Sequence, residues 1–245
     1  MTTSLIWVTG ASRGLGRALA SSVPWPNSFV VGVSRTEPEE AAIDEFVQAD
    51  LSTQAGWDAL ARSLKHTIAS TPDIERAVLI HAAATLHPMG FAGETDPVAY
   101  QAAVLLNTVA PQVIGRSFLG ATSGLNCERY LLMLTTGSSG GHYEGWSSYK
   151  AGKAAVDAWV EAESELRAND PKVRVLAVAP GIVNTDMQDA IRAADLRDFP
   201  RREEFITLQQ EDRLADPADV ARQIWDVLAS GSPVGPVIDL RDLDK

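Results

Sequence analysis

Tyr149 and Lys153 stand four residues apart in WSSYKAGKAAV (146–156). On a helix, that spacing puts both side chains on one face. A phenol can donate a proton, and a cation beside it stabilises phenolate, drawing the pKa from about 10 toward the neutral range where acid–base work is efficient. Two solvated surface residues would show the same spacing, so the surrounding elements must decide between the two. Just upstream, LLMLTTGSSGG (131–141) supplies hydroxyls that can donate to a carbonyl oxygen as negative charge builds on it.

A second stretch suits an anion. VTGASRGLGRAL (8–19) sets Gly10, Gly14 and Gly16 in the pattern G-x-x-x-G-x-G between an apolar run and a helix-like run. Glycines there allow a sharp turn, bring backbone N–H groups to a pyrophosphate and let the next helix pack closely with its N-terminus toward the anion. The end of the next apolar run selects the dinucleotide, because a carboxylate binds a ribose 2′-hydroxyl and an arginine binds a 2′-phosphate. That run ends in Ser34 and Arg35, Arg13 lies in the glycine turn, and Glu37 and Glu39 are expected to point outward. Two forked guanidiniums and a hydroxyl favour NADP(H) over NAD(H). In QADLS, Asp50 can accept from an adenine amino group and Leu51 can cover the ring, while Asp50 serves equally well as a cap for the following helix.

These groups need a scaffold. Strands are expected at 4–10, 28–35, 45–52, 75–84, 129–137, 172–181 and 235–240, and helices at 14–23, 53–70, 96–122, 148–169 and 216–231. Trp57, Leu60, Ala61, Leu64 and Ile68 recur at helical spacing in the second helix, and Pro111 is expected to bend or divide the long one. Continuous Val, Ile and Leu runs are strands buried on both faces, and helices between them imply right-handed crossovers in a parallel sheet. The expected fold is α/β, a single Rossmann-like doubly wound parallel sheet of about seven strands flanked by helices on both faces. It spans 1–245 as one dinucleotide-binding domain, and the polar, irregular stretch 182–215 is expected to hold a substrate loop at 184–210.

Composition narrows the partners. The 245 residues are 45% hydrophobic and 22% charged, which supports a buried core and excludes bulk disorder. A net charge of −11 with no dense Lys/Arg run argues against nucleic acid or an anionic membrane surface as partner. The opening MTTSLIWVTG does not read as a signal peptide, and no apolar run approaches the ~20 residues of a membrane span. The single cysteine, Cys127, precludes an intrachain disulfide and fits a reducing cytoplasmic location. No His, Cys, Asp and Glu cluster has metal-ligand spacing, so no metal is expected.

TGASRGLG, ADL, the asparagine of LLNTVAP, YKAGK and PGIVNT occur in the order in which short-chain dehydrogenase/reductases carry such motifs, and nearly the whole chain resembles that family. TLHPMG, the GW before SYKAGK and the ending VIDLRDL look like its sepiapterin reductase and benzil reductase branch. The resemblance makes Tyr149 the general acid/base and Lys153 the cation that binds the nicotinamide ribose and lowers the tyrosine pKa. Asn107 would help to hold a water for a proton relay. Around the cofactor the resemblance places Gly10, Ser12, Arg13, Gly14, Leu15 and Gly16, then Ser34, Arg35, Asp50, Leu51 and Ala83. Pro180, Gly181 and Ile182 would line the nicotinamide, and the Thr185 hydroxyl would bind its carboxamide or the pyrophosphate. The implied activity is NADP(H)-dependent hydride transfer between the nicotinamide and a ketone or secondary alcohol, in the form of a carbonyl reductase.

Two departures stand out. Where the family has Asn-Asn-Ala-Gly, this chain has HAAA (81–84), so Ala84 replaces a glycine beside the cofactor ribose, and His81 is expected to support the strand rather than to catalyse. The catalytic serine, usually thirteen residues before the tyrosine, is Thr136 here by register, with Ser138 as the alternative if the loop is bulged. The substrate walls are expected from Leu86, Tyr143, Trp146 and Met187, together with His87, Met89, His142 and the segment to Leu208. That set suits a bulky aromatic ketone or diketone, although Trp146 reads equally well as loop packing. Small residues on the helix after Tyr149 and the long helix before it suggest a homodimer or homotetramer. The rival reading is an NADP-binding redox sensor with little or no turnover, and a nucleotide-sugar epimerase or dehydratase ranks lower.

Overall fold

The computed structural model describes residues 2–39, 42–137, 144–230 and 235–243. Its strands are β1 (Thr3–Thr9), β2 (Ser28–Ser34), β3 (Glu45–Gln48), β4 (Ile74–His81), β5 (Glu128–Leu134), β6 (Val173–Ala179) and β7 (Val237–Asp239). All pair in parallel, in the order β3-β2-β1-β4-β5-β6-β7. The helices are α1 (Gly14–Ser21), α2 (Gln54–Ser70), α3 (Pro97–Val104), α4 (Ala110–Thr122), α5 (Ser147–Leu166), α6 (Asp186–Ala193), α7 (Arg202–Gln210) and α8 (Pro217–Ala229).

Alternation along each strand feeds two cores. Ile6, Val8, Val78, Ile80 and Leu132 meet Leu15 and Leu19 of α1 and Ile224 and Trp225 of α8. Leu5, Trp7, Leu79, Leu131 and Met133 meet Leu60 and Leu64 of α2, Ile114 and Phe118 of α4, and Val156 and Val160 of α5. Strand order reverses between β1 and β4, which opens a crevice over the carboxyl ends of the strands. Several strands stop two to four residues before the ends expected from sequence, because the residues that follow leave the ladder to form loops at that edge.

Pro111 neither breaks nor divides the long helix. Between α3 and α4, Leu105–Val109 forms a π turn in which the Ala110 N–H bonds to the Leu105 carbonyl. Pro111 has no N–H to offer the carbonyl four residues back, so the extra residue of a π turn accommodates it. The continuous helix Pro97–Thr122 has 26 residues and is long and apolar enough to cross a membrane by length and composition alone, although Gln101, Asn107, Gln112 and Arg116 interrupt its apolar sequence. Here it is a core helix, burying Ala103, Asn107, Ala110, Ile114 and Phe118.

The stretch read as irregular from 182 to 215 holds α6 and α7. Its apolar residues are too sparse to announce a helix, yet Ile191, Phe199 and Phe205 are buried against Leu86 and Trp146. A parallel bridge between Val183 and Ala215 closes its base.

Candidate active site

Gly10 leaves β1 with φ +71, and its N–H donates to the Val33 carbonyl at 2.8 Å. A Cβ there would lie 2.9 Å from the Ala83 nitrogen, so the ends of β1 and β4 touch backbone to backbone. A Cβ at Gly16 would overlap the Gly10 carbonyl, and one at Gly14 would lie 3.1 Å from Thr185 Cγ2. The turn thus joins α1 to β1, β4 and the start of α6. No side chain caps α1 and no acidic residue occupies its first turn, so its leading N–H groups can donate to an anion. These features fit a dinucleotide pyrophosphate, with Ser12 and Leu15 in the turn and Thr185 opposite.

At the end of β2 the arrangement is only partly the one expected. The Ser34 hydroxyl is buried and donates to the Thr36 carbonyl at 2.6 Å. Arg35 is exposed, and its carbonyl accepts from Gln48 Nε2. Arg13 makes an exposed ion pair with Asp186 at 3.2 Å, and no contact joins it to Arg35 among the described residues. Asp50 does not cap α2. Thr53 does, accepting from the Gly56 N–H, while Asp50 Oδ1 takes the N–H and hydroxyl of Ser52. Burial raises the Asp50 carboxyl, but Ser52 and the Arg35 charge outweigh it and hold it below its usual value. Leu51 is buried, and its carbonyl accepts from the Trp57 indole. Ala84 keeps an ordinary φ, since the only non-glycine residues with positive φ among those described are Asp73 and Asp212.

The candidate proton-transfer groups converge. Asn107 lies in the π turn, where its amide is fixed in both directions by Thr85: Oδ1 accepts from the Thr85 N–H at 3.0 Å and Nδ2 donates to the Thr85 carbonyl at 2.8 Å. Gly152, between Tyr149 and Lys153 on α5, lets that helix close on the turn, because a Cβ there would lie 2.9 Å from Asn107 Cβ. Lys153 is buried, its Nζ donates to the Leu134 carbonyl at 2.7 Å and lies 5.7 Å from the Tyr149 ring centroid. Burial pulls Lys153 down to about 8 against the opposing charge of Asp157. Burial pushes Tyr149 up to about 12. Desolvation dominates at the phenol in this arrangement, in which the Lys153 Nζ is turned to the end of β5. Thr136 follows β5 two residues past its end and is partly exposed. Ser138, His142 and Tyr143 lie outside the described residues.

His81 ends β4 deep in the sheet, and burial with the nearby Lys153 charge drives it down to about 3. An unfolded histidine takes its proton at about 6.5, so as pH falls the unfolded state binds it first and the folded state loses stability. The stabilisation is complete above that pH and eroded from there toward 3. Chemical denaturation should show the wild type losing about 2 kcal/mol more than His81→Gln between about pH 7 and pH 5. Equal losses in both proteins would contradict the buried neutral imidazole.

An aromatic cage backs Tyr149. Trp146 stacks on Phe199 at 4.6 Å between centroids, tilts against Phe205 at 5.5 Å and meets the Tyr149 ring edge-on at 6.0 Å. Leu86, Ile191 and Ala194 complete the cluster, with Met89, Met187 and Leu208 at its border. Trp146 is thus chiefly packing, while Leu86 and Met187 join it beside Tyr149. On the far side, Arg241 runs 3.7 Å from the Cβ position of Gly181 and approaches Gly137, held by Asp239. Pro180 and Ile182 flank Gly181 in the loop leaving β6. The sequence reading missed Thr85, Thr9 and Arg241. The first two are ordinary threonines whose roles lie in contacts distant in sequence, Thr85 with Asn107 of the π turn and Thr9 with the end of β4, and for Arg241 its place after the last strand was the available signal.

The sequence profile described as short chain dehydrogenase matches residues 4–196. A benzil reductase ((S)-benzoin forming) of Bacillus cereus is 28% identical over 94% of this chain and 96% of its own. A sepiapterin reductase of Mus musculus is 30% identical, covering 90% of each chain. A short-chain dehydrogenase/reductase structure from Saccharomyces cerevisiae superposes with a TM-score of 0.81 at 21% identity, over 99% of this chain and 97% of the other.

Proposed function

The chain belongs to the short-chain dehydrogenase family, and from that premise we propose that it is an NADP(H)-dependent carbonyl reductase for a bulky aromatic ketone or diketone. The observation that carries this reading is the convergence of Tyr149, Lys153 and Asn107 at the ends of β4 and β5, directly against the cage of Trp146, Phe199 and Phe205. Benzil and sepiapterin, the compounds for which the two relatives are named, both carry a carbonyl conjugated to a ring system. An apolar wall with few fixed charges suits that class.

The chemistry supplied by the cofactor when bound is hydride delivery to the carbonyl carbon. Tyr149 donates its proton to the carbonyl oxygen as charge develops there. Lys153 and Asn107 serve the proton's replacement, and Thr136, or Ser138 in its stead, donates a hydrogen bond to the same oxygen. The glycine turn, Thr185 and Arg35 hold the dinucleotide, with Pro180, Gly181 and Ile182 along the nicotinamide. Two copies associate through the outer faces of α4 and α5, a claim that sedimentation velocity tests directly. NADPH absorbance followed with a panel of diketones, quinones, pteridines and steroids tests the function. Oxidation with aromatic diketones is expected, and cofactor binding without turnover on any of them would favour the redox-sensor rival.

The cage depends on one backbone position. Gly145 has φ +84, and a Cβ there would overlap the Asp198 carbonyl beside Phe199. Gly145→Ala should lower stability by about 2 kcal/mol and raise the diketone KM about tenfold, with NADPH affinity within about twofold of wild type. Thermal melts and initial rates check it, and an unchanged KM would separate the cage from the substrate pocket.

A further inference from the structure

Behind Tyr149 the sheet buries one more ring, that of His81, which is 1% exposed. Alternation along β4 puts it on the face of Ala77 and Leu79, the face covered by α4 and α5. Its tautomer is set by Thr9 across the β1–β4 ladder. Thr9 Oγ1 accepts the N–H groups of Ala82 and Ala83, each at 3.2 Å, and lies 2.9 Å from His81 Nδ1. Both oxygen lone pairs are engaged, so the single hydroxyl hydrogen points to Nδ1, and the imidazole proton sits on Nε2. That Nε2 is buried and has no hydrogen-bond partner among the described residues. A buried N–H without a protein acceptor is ordinarily satisfied by an ordered water.

The groups around the ring are few. From α5 come Lys153, whose charge acts on the imidazole, with Tyr149 and Asp157 one turn to either side. Among the described residues, the strands on either side pair His81 with the uncharged Thr9 and Met133. We propose that His81 is a positioning residue for proton supply, its Nε2–H holding a buried water beside Lys153. The water's oxygen accepts from Nε2–H, which leaves its hydrogens free to pass along the chain. When the Lys153 ammonium gives a proton toward Tyr149, this water returns one to the amine and is itself reprotonated from solvent. His81 stays neutral and exchanges no net proton. This inference rests on the carbonyl-reductase reading for its kinetic consequence, while the water site is independent of it.

The test has a spectroscopic arm and a kinetic arm. In the 15N,13C-labelled wild type, the His81 ring, assigned by through-bond correlation to its own backbone, should show the Nε2–H tautomer. Its Hε2 should give a cross-peak to long-lived water. An Nδ1–H tautomer, or an Nε2–H with no water contact, overturns the proposal whether or not any variant folds. In turnover, His81→Leu should lower kcat about tenfold and raise the solvent isotope effect on kcat, with both KM values within about twofold. His81→Gln, which can present an N–H at the same place, should recover most of the loss. A folded His81→Leu with wild-type kcat and isotope effect also overturns it. If the wild type oxidises NADPH with no carbonyl, the functional reading fails, and the spectrum alone still decides the water site.

Discussion

Tyr149→Phe will lower kcat for carbonyl reduction by about 10³-fold and leave NADPH affinity within about twofold. The substitution removes one oxygen and spares the ring, so the edge-on contact with Trp146 and the packing of α5 persist. What is lost is the phenol proton at the meeting point of α5, the π turn and the end of β5. Burial pushes the phenol up to about 12, so it is loaded with its proton throughout the neutral range. That is the form a reductase needs, and it makes this site a ready donor before any cofactor is bound. Lys153 sets the alkaline limit: pulled down to about 8 by burial, it carries its charge below that pH and loses it above. The kcat/KM for reduction should therefore be flat through neutrality and fall above pH 8, since that ratio reports the free enzyme. Turnover that survives Tyr149→Phe would remove the phenol from the mechanism, and a rate rising through the same range would remove the charged lysine.

Much of this was legible because parallel sheets announce themselves. Continuous aliphatic runs such as RAVLIH before a loop and RVLAVA before a proline are short, bounded by turn signals and read as strands buried on both faces, and the glycine turn marked where the chain crosses from β1 to α1. The same residues pointed to the edge where the candidate site lies, since in a parallel sheet every strand ends on one side. Less was legible where a role depends on contacts across the sequence. Asn107 was identified, yet nothing local shows that Thr85 clamps its amide or that Pro111 produces the π turn around it. Ser34 has the right type and place for a phosphate, but its hydroxyl is spent on Thr36 two residues away, a local competition that side-chain identity does not reveal. Helices α6 and α7 were read as irregular because each buries so little, one isoleucine and one glutamine in α6 and a single phenylalanine in α7. Their burial comes from Leu86 and Trp146, far away in the chain.

Arg35→Ala will weaken NADPH binding about 30-fold, equivalent to about 2 kcal/mol for a charge-assisted hydrogen bond, and leave NADH binding nearly unchanged. The asymmetry follows from what the neighbouring candidates are doing. Ser34 has donated its hydroxyl to the Thr36 carbonyl. Arg13 is paired with Asp186, with side chains 66% and 59% exposed, and a surface pair of that kind contributes about 0–1 kcal/mol, so Arg13 can turn to a phosphate at small cost. Arg35 has its carbonyl held by Gln48 Nε2 at 3.0 Å, with its guanidinium exposed at the end of β2. Its charge already reaches Asp50, so the cation and the residue proposed for the adenine lie close together. Arg13→Ala should accordingly cost several-fold less than Arg35→Ala, and the NADPH loss should shrink at high salt, as expected of an exposed charge contact. Fluorescence titrations of both dinucleotides with both variants decide it. An NADPH-to-NADH affinity ratio that survives Arg35→Ala would move the selection away from β2 to Arg13 or to residues beyond it.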